Sequence, residues 1–449
     1  MLHSLREGDL LEELAARVKA ELRARFGCNE RPVAWEYLER FESLRDNHDL
    51  AVSLIYEEFC LLEEAAEVPG TEEFCGRYLP WKDSLEVQLR CHRELRGLAT
   101  DARPAPPLPE PGTSWNGFLI DSILGRGGTS TVYLAFEEAM GGRPVALKVS
   151  PDRGPEPGII GCLDHPRIMP AFSVCRDTAR GLRGLCMPYR PGAPLDALLR
   201  RAWPLRDSHG ASAFRAALGV GLALPPAQSL DRPGWQGFPA SGTYDEAVAW
   251  IMLVAAQAVF HIHSHGIVHC DIKPSNLYVS VQDGPLLFDF GFARSRSAPD
   301  ALPGGTLAYM APEQLRAFLD PRCGSEVGPT ADIYALGLTL AELSLGTPPY
   351  TPPQTLPAAL AARELLGRRS HPDRMFPATE RPISPALERI AMRCLAPTPG
   401  QRYADAGELA RSLGEFLENP SASSDCSPPT MNELSNAMAW CPAIAGSLP

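Results

Sequence analysis

The chain carries no C-x-x-C pair among its 12 cysteines and no surplus of positive charge. It also has no unbroken apolar run near the roughly eighteen residues a membrane helix needs. Each absence excludes something. Scattered, unpaired cysteines in a chain this long fit reduced, mostly buried thiols, not a disulfide framework or a zinc ribbon. A net charge of −12 counts against nonspecific nucleic-acid binding, which rests on Lys and Arg meeting phosphates. The opening residues MLHSLREGDLLEEL lack the apolar centre of a signal peptide. The expectation is a cytoplasmic protein with no membrane span and no nucleic-acid partner.

What is present divides the 449 residues into regions. Residues 1–97 are acidic, with 13 Lys and Arg against 21 Asp and Glu. Their apolar residues recur at helical spacing, as in Leu10, Leu14, Val18 and Leu22 and again in Leu50, Leu54, Ile55, Phe59 and Leu62. This predicts an all-helical segment that docks on its neighbour or binds a partner. Residues 98–114 hold five prolines between Pro104 and Pro111 and predict a stiff linker. From Trp115 the pattern alternates apolar and polar around a glycine cluster, a strand–turn–strand signal. Beyond about Ala193 it turns helical. Thr243 and Glu246 predict a capping box at the start of a long helix that Gly266 closes. Residues 199–243, rich in Gly, Pro, Ala and Ser, predict a surface insertion with no sustained period, and 419–449 a disordered tail.

Three stretches carry candidate chemistry. Gly125, Gly127 and Gly128 lie in the turn between two strands, where backbone amides can approach a polyphosphate with no side chain between. The apolar strand VALK ends on Lys148, and Glu156 is the one acid before LDHPRIMP able to hold it. HIHSHGIVHCDIKPSN, His261 to Asn276, offers metal ligands, a thiol and an aspartate together. His261, His263 and His265 are two apart on a helix, so neighbours point about 200° apart and cannot share one ion. Cys270 has no C-x-x-C partner, and Asp271 beside it opposes a lowered thiol pKa. Asp271 is placed to accept a proton from a hydroxyl and Lys273 to neutralise a transferring phosphoryl group. Asn276 and Asp289 are hard oxygen donors of the kind Mg2+ takes in small number beside phosphates.

The motifs LGRGGTSTVYLA, VALK, HCDIKPSN, DFG, GTLAYMAPE, ADIYALG and PGQRY follow one another in the order and spacing of the protein kinase family. The chain resembles the bacterial eukaryotic-like serine/threonine kinases over about Trp115–Leu417. That resemblance implies an α+β fold: a two-lobed kinase domain over 115–418, preceded by the helical segment. The β-rich small lobe would cover about 115–187 and the helical large lobe about 188–418. It implies ATP and Mg2+ as cofactors and proteins bearing Ser or Thr as substrates. Gly125, Gly127, Gly128 and Val132 would cover the nucleotide, with Ala146, Met187, Tyr189 and Tyr278 around the adenine. Lys148, paired with Glu156, would hold the phosphates; Asp271 would be the base and Lys273 its neighbour at the γ-phosphate. Asn276 and Asp289 would bind the metal. Glu313 would pair with Arg402, and Asp332 would brace the catalytic loop.

Two departures stand out. Pro151, Pro155 and Pro157 forbid a long regular helix around Glu156, so a stubby helix opening near Pro155 is expected. Where most relatives place arginine before the base, this chain has Cys270, which cannot meet an activation-loop phosphate by charge. Activity without phosphorylation of Ser295 or Ser297 is therefore expected. The competing expectation is a catalytically weak scaffold in which Lys148 and Glu156 fail to meet and the helical N-terminus does the work.

Overall fold

The computed structural model describes residues 7–27, 30–65, 70–82, 84–86, 107–127, 130–222, 232–295, 305–352, 358–371 and 383–420, with 67, 89 and 356 as single positions. Gly128, Ser297 and nearly all of the expected tail lie outside the described residues, as does the linker before 107. The described helices of the N-terminal segment are Glu7–Gly27, Ala34–Arg40, Glu42–Asp46, His48–Glu64 and Thr71–Arg77, joined by short connections. Leu22, Leu54, Ile55 and Phe59 are buried in its core, with Val18 beside them. A buried carboxylate, Glu58, accepts hydrogen bonds from the Ala34 N–H and the Tyr78 hydroxyl and so ties two corners of the bundle together. The bundle packs against the helix Ala358–Arg369: Leu360 belongs to the same apolar cluster, and the Arg363 guanidinium donates to Ser84 Oγ at 3.1 Å.

Six strands form the small lobe's sheet in the order β1-β2-β3-β4-β6-β5, all antiparallel. They are β1 (Ser114–Trp115), β2 (Phe118–Arg126), β3 (Thr131–Glu137), β4 (Arg143–Pro151), β5 (Ser173–Asp177) and β6 (Leu182–Pro188). Side chains alternate across the sheet. Tyr133, Val145, Leu147 and Cys186 fill one face, leaving Val132, Ala146, Lys148 and Met187 for the other. Between β4 and β5 the only described helix is Glu156–Ile160, five residues long, as the prolines require.

The large lobe is built on the helix Tyr244–Ser264. Thr243 and Glu246 form the capping box at its start, and Gly266 follows its end with φ 69°. Among the described residues this is the one helix long and apolar enough to cross a membrane, although 67% of its most apolar window is buried. The absence of an unbroken apolar run conceals that property, because Gln257 and His261 interrupt an otherwise apolar segment. Its buried residues pack on the helices Pro329–Leu345 and Ala406–Glu418, and Pro385–Cys394 packs on those two in turn; each larger apolar side chain so buried contributes about 1.5–3 kcal/mol.

The expected surface insertion is corrected by the structure. Its described part contains the helix Ser212–Leu222, with Ala213, Phe214, Ala217 and Leu218 in the main core. Trp235 stacks on Trp250 at 5.6 Å and donates to the Ser280 and Val281 carbonyls. A single four-residue apolar repeat amid glycines was too short a pattern to reveal this.

Candidate active site

The roof of the cleft follows from strand register. Val132 lies opposite Lys148 in β3–β4, and Ala146 opposite Met187 in β4–β6. A two-residue step returns a side chain to the same face, so these four share the surface over the cleft. Gly125 pairs with Val132, and the Gly127 N–H donates to Ser130 O at 2.7 Å, closing the glycine turn. A Cβ on Gly127 would sit 3.2 Å from Ser130 Oγ, which favours glycine there. Below lies a second sheet, in the order β10-β9-β7, of β7 (Gly192–Pro194), β9 (Leu277–Ser280) and β10 (Gly284–Leu287), with Tyr278 half-buried. The Tyr278 hydroxyl donates to the Arg190 carbonyl at 2.7 Å, pinning the segment that carries Tyr189. Tyr278 packs against the same cluster as Ala146.

Lys148 and Glu156 meet. Lys148 Nζ lies 2.6 Å from Glu156 Oε1 and 2.7 Å from Asp289 Oδ1, with the Lys148 and Glu156 side chains only 8% and 3% exposed. Burial alone would lower the Lys148 pKa, but the Asp289 and Glu156 carboxylates outweigh it and hold it above the ordinary lysine value. Burial likewise pushes Asp289 up, and Lys148, His269 and the Gly291 N–H together hold it below the usual aspartate value. A partner the sequence reading missed is Arg183, whose Nη2 lies 3.4 Å from Glu156 Oε2. Its cross-sheet position, invisible without the register, is what brings it there.

The catalytic-loop residues converge on one carboxylate. Asp271 Oδ2 accepts from Lys273 Nζ and from Asn276 Nδ2, each at 2.9 Å, and Oδ1 accepts from the Thr306 N–H at 2.7 Å. Lys273 also reaches Thr306 Oγ1 at 2.5 Å. With its amide nitrogen committed to Asp271, Asn276 has its oxygen to offer a cation. The Phe288 N–H donates to the Asn276 carbonyl at 3.2 Å, which ties the loop to the segment bearing Asp289. No group of three or more His, Cys, Asp or Glu able to hold a metal occurs among the described residues. An Asn and an Asp beside phosphates nonetheless fit Mg2+, which binds through few protein oxygens.

Asp332, on the buried helix Pro329–Leu345, holds this loop from beneath. It accepts from the His269 N–H at 2.8 Å, from the Cys270 N–H at 2.9 Å and lies 2.8 Å from His263 Nε2. That set steadies Cys270 at φ 65°, a left-handed conformation costly for a side chain. Burial, with Asp332 nearby, raises the Cys270 thiol well above its ordinary pKa, which disfavours the thiolate. His263 serves this scaffold, while His261 stacks on His165 at 4.6 Å. Glu313 and Arg402 form a buried bidentate pair at 2.6 and 2.9 Å.

Sequence reading also missed Tyr309 and Glu342. The Tyr309 hydroxyl donates to Glu342 at 2.7 Å, and burial pushes the Glu342 carboxyl up to about 7. Ser295, a candidate phosphorylation site, pairs with Ile267 in the short ribbon of β8 (Ile267–Val268) and β11 (Arg294–Ser295).

Residues 239–412 match the protein kinase domain family. The chain is 30% identical over 325 residues to the serine/threonine-protein kinase PknD of Mycobacterium tuberculosis, covering 69% of this chain and 41% of that one. It is 30% identical over 255 residues to the DNA damage-responsive serine/threonine-protein kinase RqkA of Deinococcus radiodurans, covering 54% and 31%. With PknD of Chlamydia felis it shares 27% over 353 residues, covering 72% and 33%. The chain thus spans less than half the length of these relatives. A family match over the helical lobe, the two-lobed fold and relatives reaching into the small lobe agree: the chain belongs to the protein kinase family, in its bacterial serine/threonine branch.

Proposed function

We propose that the chain transfers the γ-phosphate of ATP to Ser or Thr hydroxyls of proteins. The observation that carries this reading is the convergence of Lys273, Asn276 and the Thr306 N–H on the Asp271 carboxylate. Asp271 orients the acceptor hydroxyl and takes its proton. Lys273, between Asp271 and Thr306, offsets charge gathering on the transferred group. Lys148, positioned by Glu156, receives the α- and β-phosphates, and Gly125, Gly127 and Val132 cover them. Ala146, Met187, Tyr189 and Tyr278 surround the adenine. Asn276 and Asp289 would hold Mg2+, which when bound neutralises the phosphate oxygens. The buried Lys148–Glu156 contact supports catalysis over the scaffold reading.

Purified chain incubated with Mg2+ and labelled ATP should phosphorylate itself or a generic acceptor. Asp271→Asn should not; equal transfer by both proteins would remove the proposal.

Phosphorylation of the activation segment is not required, on this reading. Cys270 supplies no positive charge, and Asp332 already fixes the loop through two backbone N–H groups. The double substitution Ser295→Ala, Ser297→Ala should keep turnover near that of the parent, and a severe loss would contradict this. The helical N-terminus acts in cis through its contact with the helix Ala358–Arg369. Deleting residues 1–97 should change activity or substrate choice. The substrates are cytoplasmic proteins on this reading.

A further inference from the structure

The proline-shortened helix Glu156–Ile160 leaves open a cavity of about 600 Å³ between the small lobe and the start of β8. Arg153, Arg176, Arg183 and Asp152 line it, with Ile159 and Ile267 as apolar wall. Two features of the arginines are unusual. Arg176 and Arg183 stand directly opposite each other across β5 and β6, a placement of like charges that destabilises a sheet unless anions relieve it. The Arg183 side chain is 6% exposed, yet its Nε has no hydrogen-bond partner. Its other nitrogens reach the Gly154 carbonyl at 2.9 Å and Glu156 at 3.4 Å. Glu156 meanwhile serves Lys148 at the shorter distance of 2.6 Å. Arg176 is met by Asp152 at 3.2 Å.

We propose that this cavity is a binding site for a small organic anion, with a phosphate or carboxylate head on Arg176 and Arg183 and an apolar body against Ile159 and Ile267. Planar guanidinium groups suit such heads because they donate two parallel hydrogen bonds. An anion there would draw Arg183 from Glu156 and leave that carboxylate more fully to Lys148. Occupancy would thereby bear on the catalytic lysine from outside the nucleotide cleft. The site goes beyond the kinase reading, and its occupancy is measurable without phosphoryl transfer.

Cys162 lines the same cavity and is exposed, which supplies the assay. The full chain, its nucleotide cleft filled with Mg2+ and a non-hydrolysable ATP analogue, is alkylated with iodoacetamide, and the Cys162 peptide is quantified by mass spectrometry. Phenyl phosphate is the probe and phenol its uncharged control. Phenyl phosphate should slow alkylation of Cys162 and phenol should not. Arg176→Ala should require about tenfold more phenyl phosphate for the same protection, the loss expected for one charge-assisted hydrogen bond. Arg153→Ala, on the exposed rim, is the second variant and should also weaken protection. Absence of protection, protection by phenol alone, or equal protection in parent and both variants would each overturn the site.

Discussion

Replacing Glu156 by Gln removes one charge and almost no volume from the point where the two lobes' chemistry joins. Lys148 Nζ is held by Glu156 at 2.6 Å and Asp289 at 2.7 Å, with Glu156 nearly inaccessible to water. Removing one partner of such a buried pair typically costs about 3–5 kcal/mol. The glutamine oxygen retains a hydrogen bond worth about 1 kcal/mol, and Asp289 remains a carboxylate partner. The expected net cost is therefore about 2–3 kcal/mol, or roughly 30- to 150-fold in kcat/KM if it falls on the transition state. Asp289 is also the proposed metal ligand, so binding Mg2+ would draw it from Lys148 and leave the lysine poorly placed. Steady-state kinetics with varied ATP at saturating acceptor, alongside thermal unfolding of both proteins, measure the effect. A loss under about threefold with unchanged melting would refute the argument, because a buried charge would then have been removed at no cost. Because the Lys148 pKa is raised, its contribution to stability is complete below the ordinary lysine value and fades only as pH rises through the folded one. The parent–variant stability difference should thus persist across neutral pH and narrow in strong alkali.

Glu342 predicts a dependence of the same sign in a lower pH window. Its folded pKa, about 7, exceeds the ordinary 4.5, so the folded state holds the proton more tightly and stability falls as pH rises between the two. Glu342→Gln keeps an acceptor for Tyr309 and should remove up to about 3 kcal/mol of that slope; equal slopes by chemical denaturation at pH 5 and 8 would contradict it. Arg402→Met leaves the buried Glu313 carboxylate unpaired and should lower the melting temperature by roughly 10 °C, whereas an unchanged melting temperature would show the pair to be dispensable. Cys270, buried with a raised pKa, should resist iodoacetamide at pH 8 while the exposed Cys162 reacts, and peptide mass mapping separates the two. Asp332→Ala strands two backbone N–H groups of the catalytic loop and should reduce both stability and turnover. Unfolding and kinetic measurements that change independently would refute that coupling.

The sequence alone determined the two-lobed class, the catalytic loop and the shortened helix. Each rests on short-range chemistry: D-x-K-x-x-N puts its donors around one carboxylate, and three prolines stop a helix wherever the chain folds. The capping box of Thr243 and Glu246 was legible for the same reason. Contacts between distant segments were not. The Arg176–Arg183 opposition depends on strand register, the Tyr309–Glu342 bond spans 33 residues, and the bundle's seat on the helix Ala358–Arg369 joins positions 279 apart. Local pattern reports which face of an element is apolar, but not which other element will cover it. For that reason HIHSHGIVHCDIKPSN could be read for its aspartate, while only the tertiary structure gave His263 its role, as a partner of Asp332 beneath the loop.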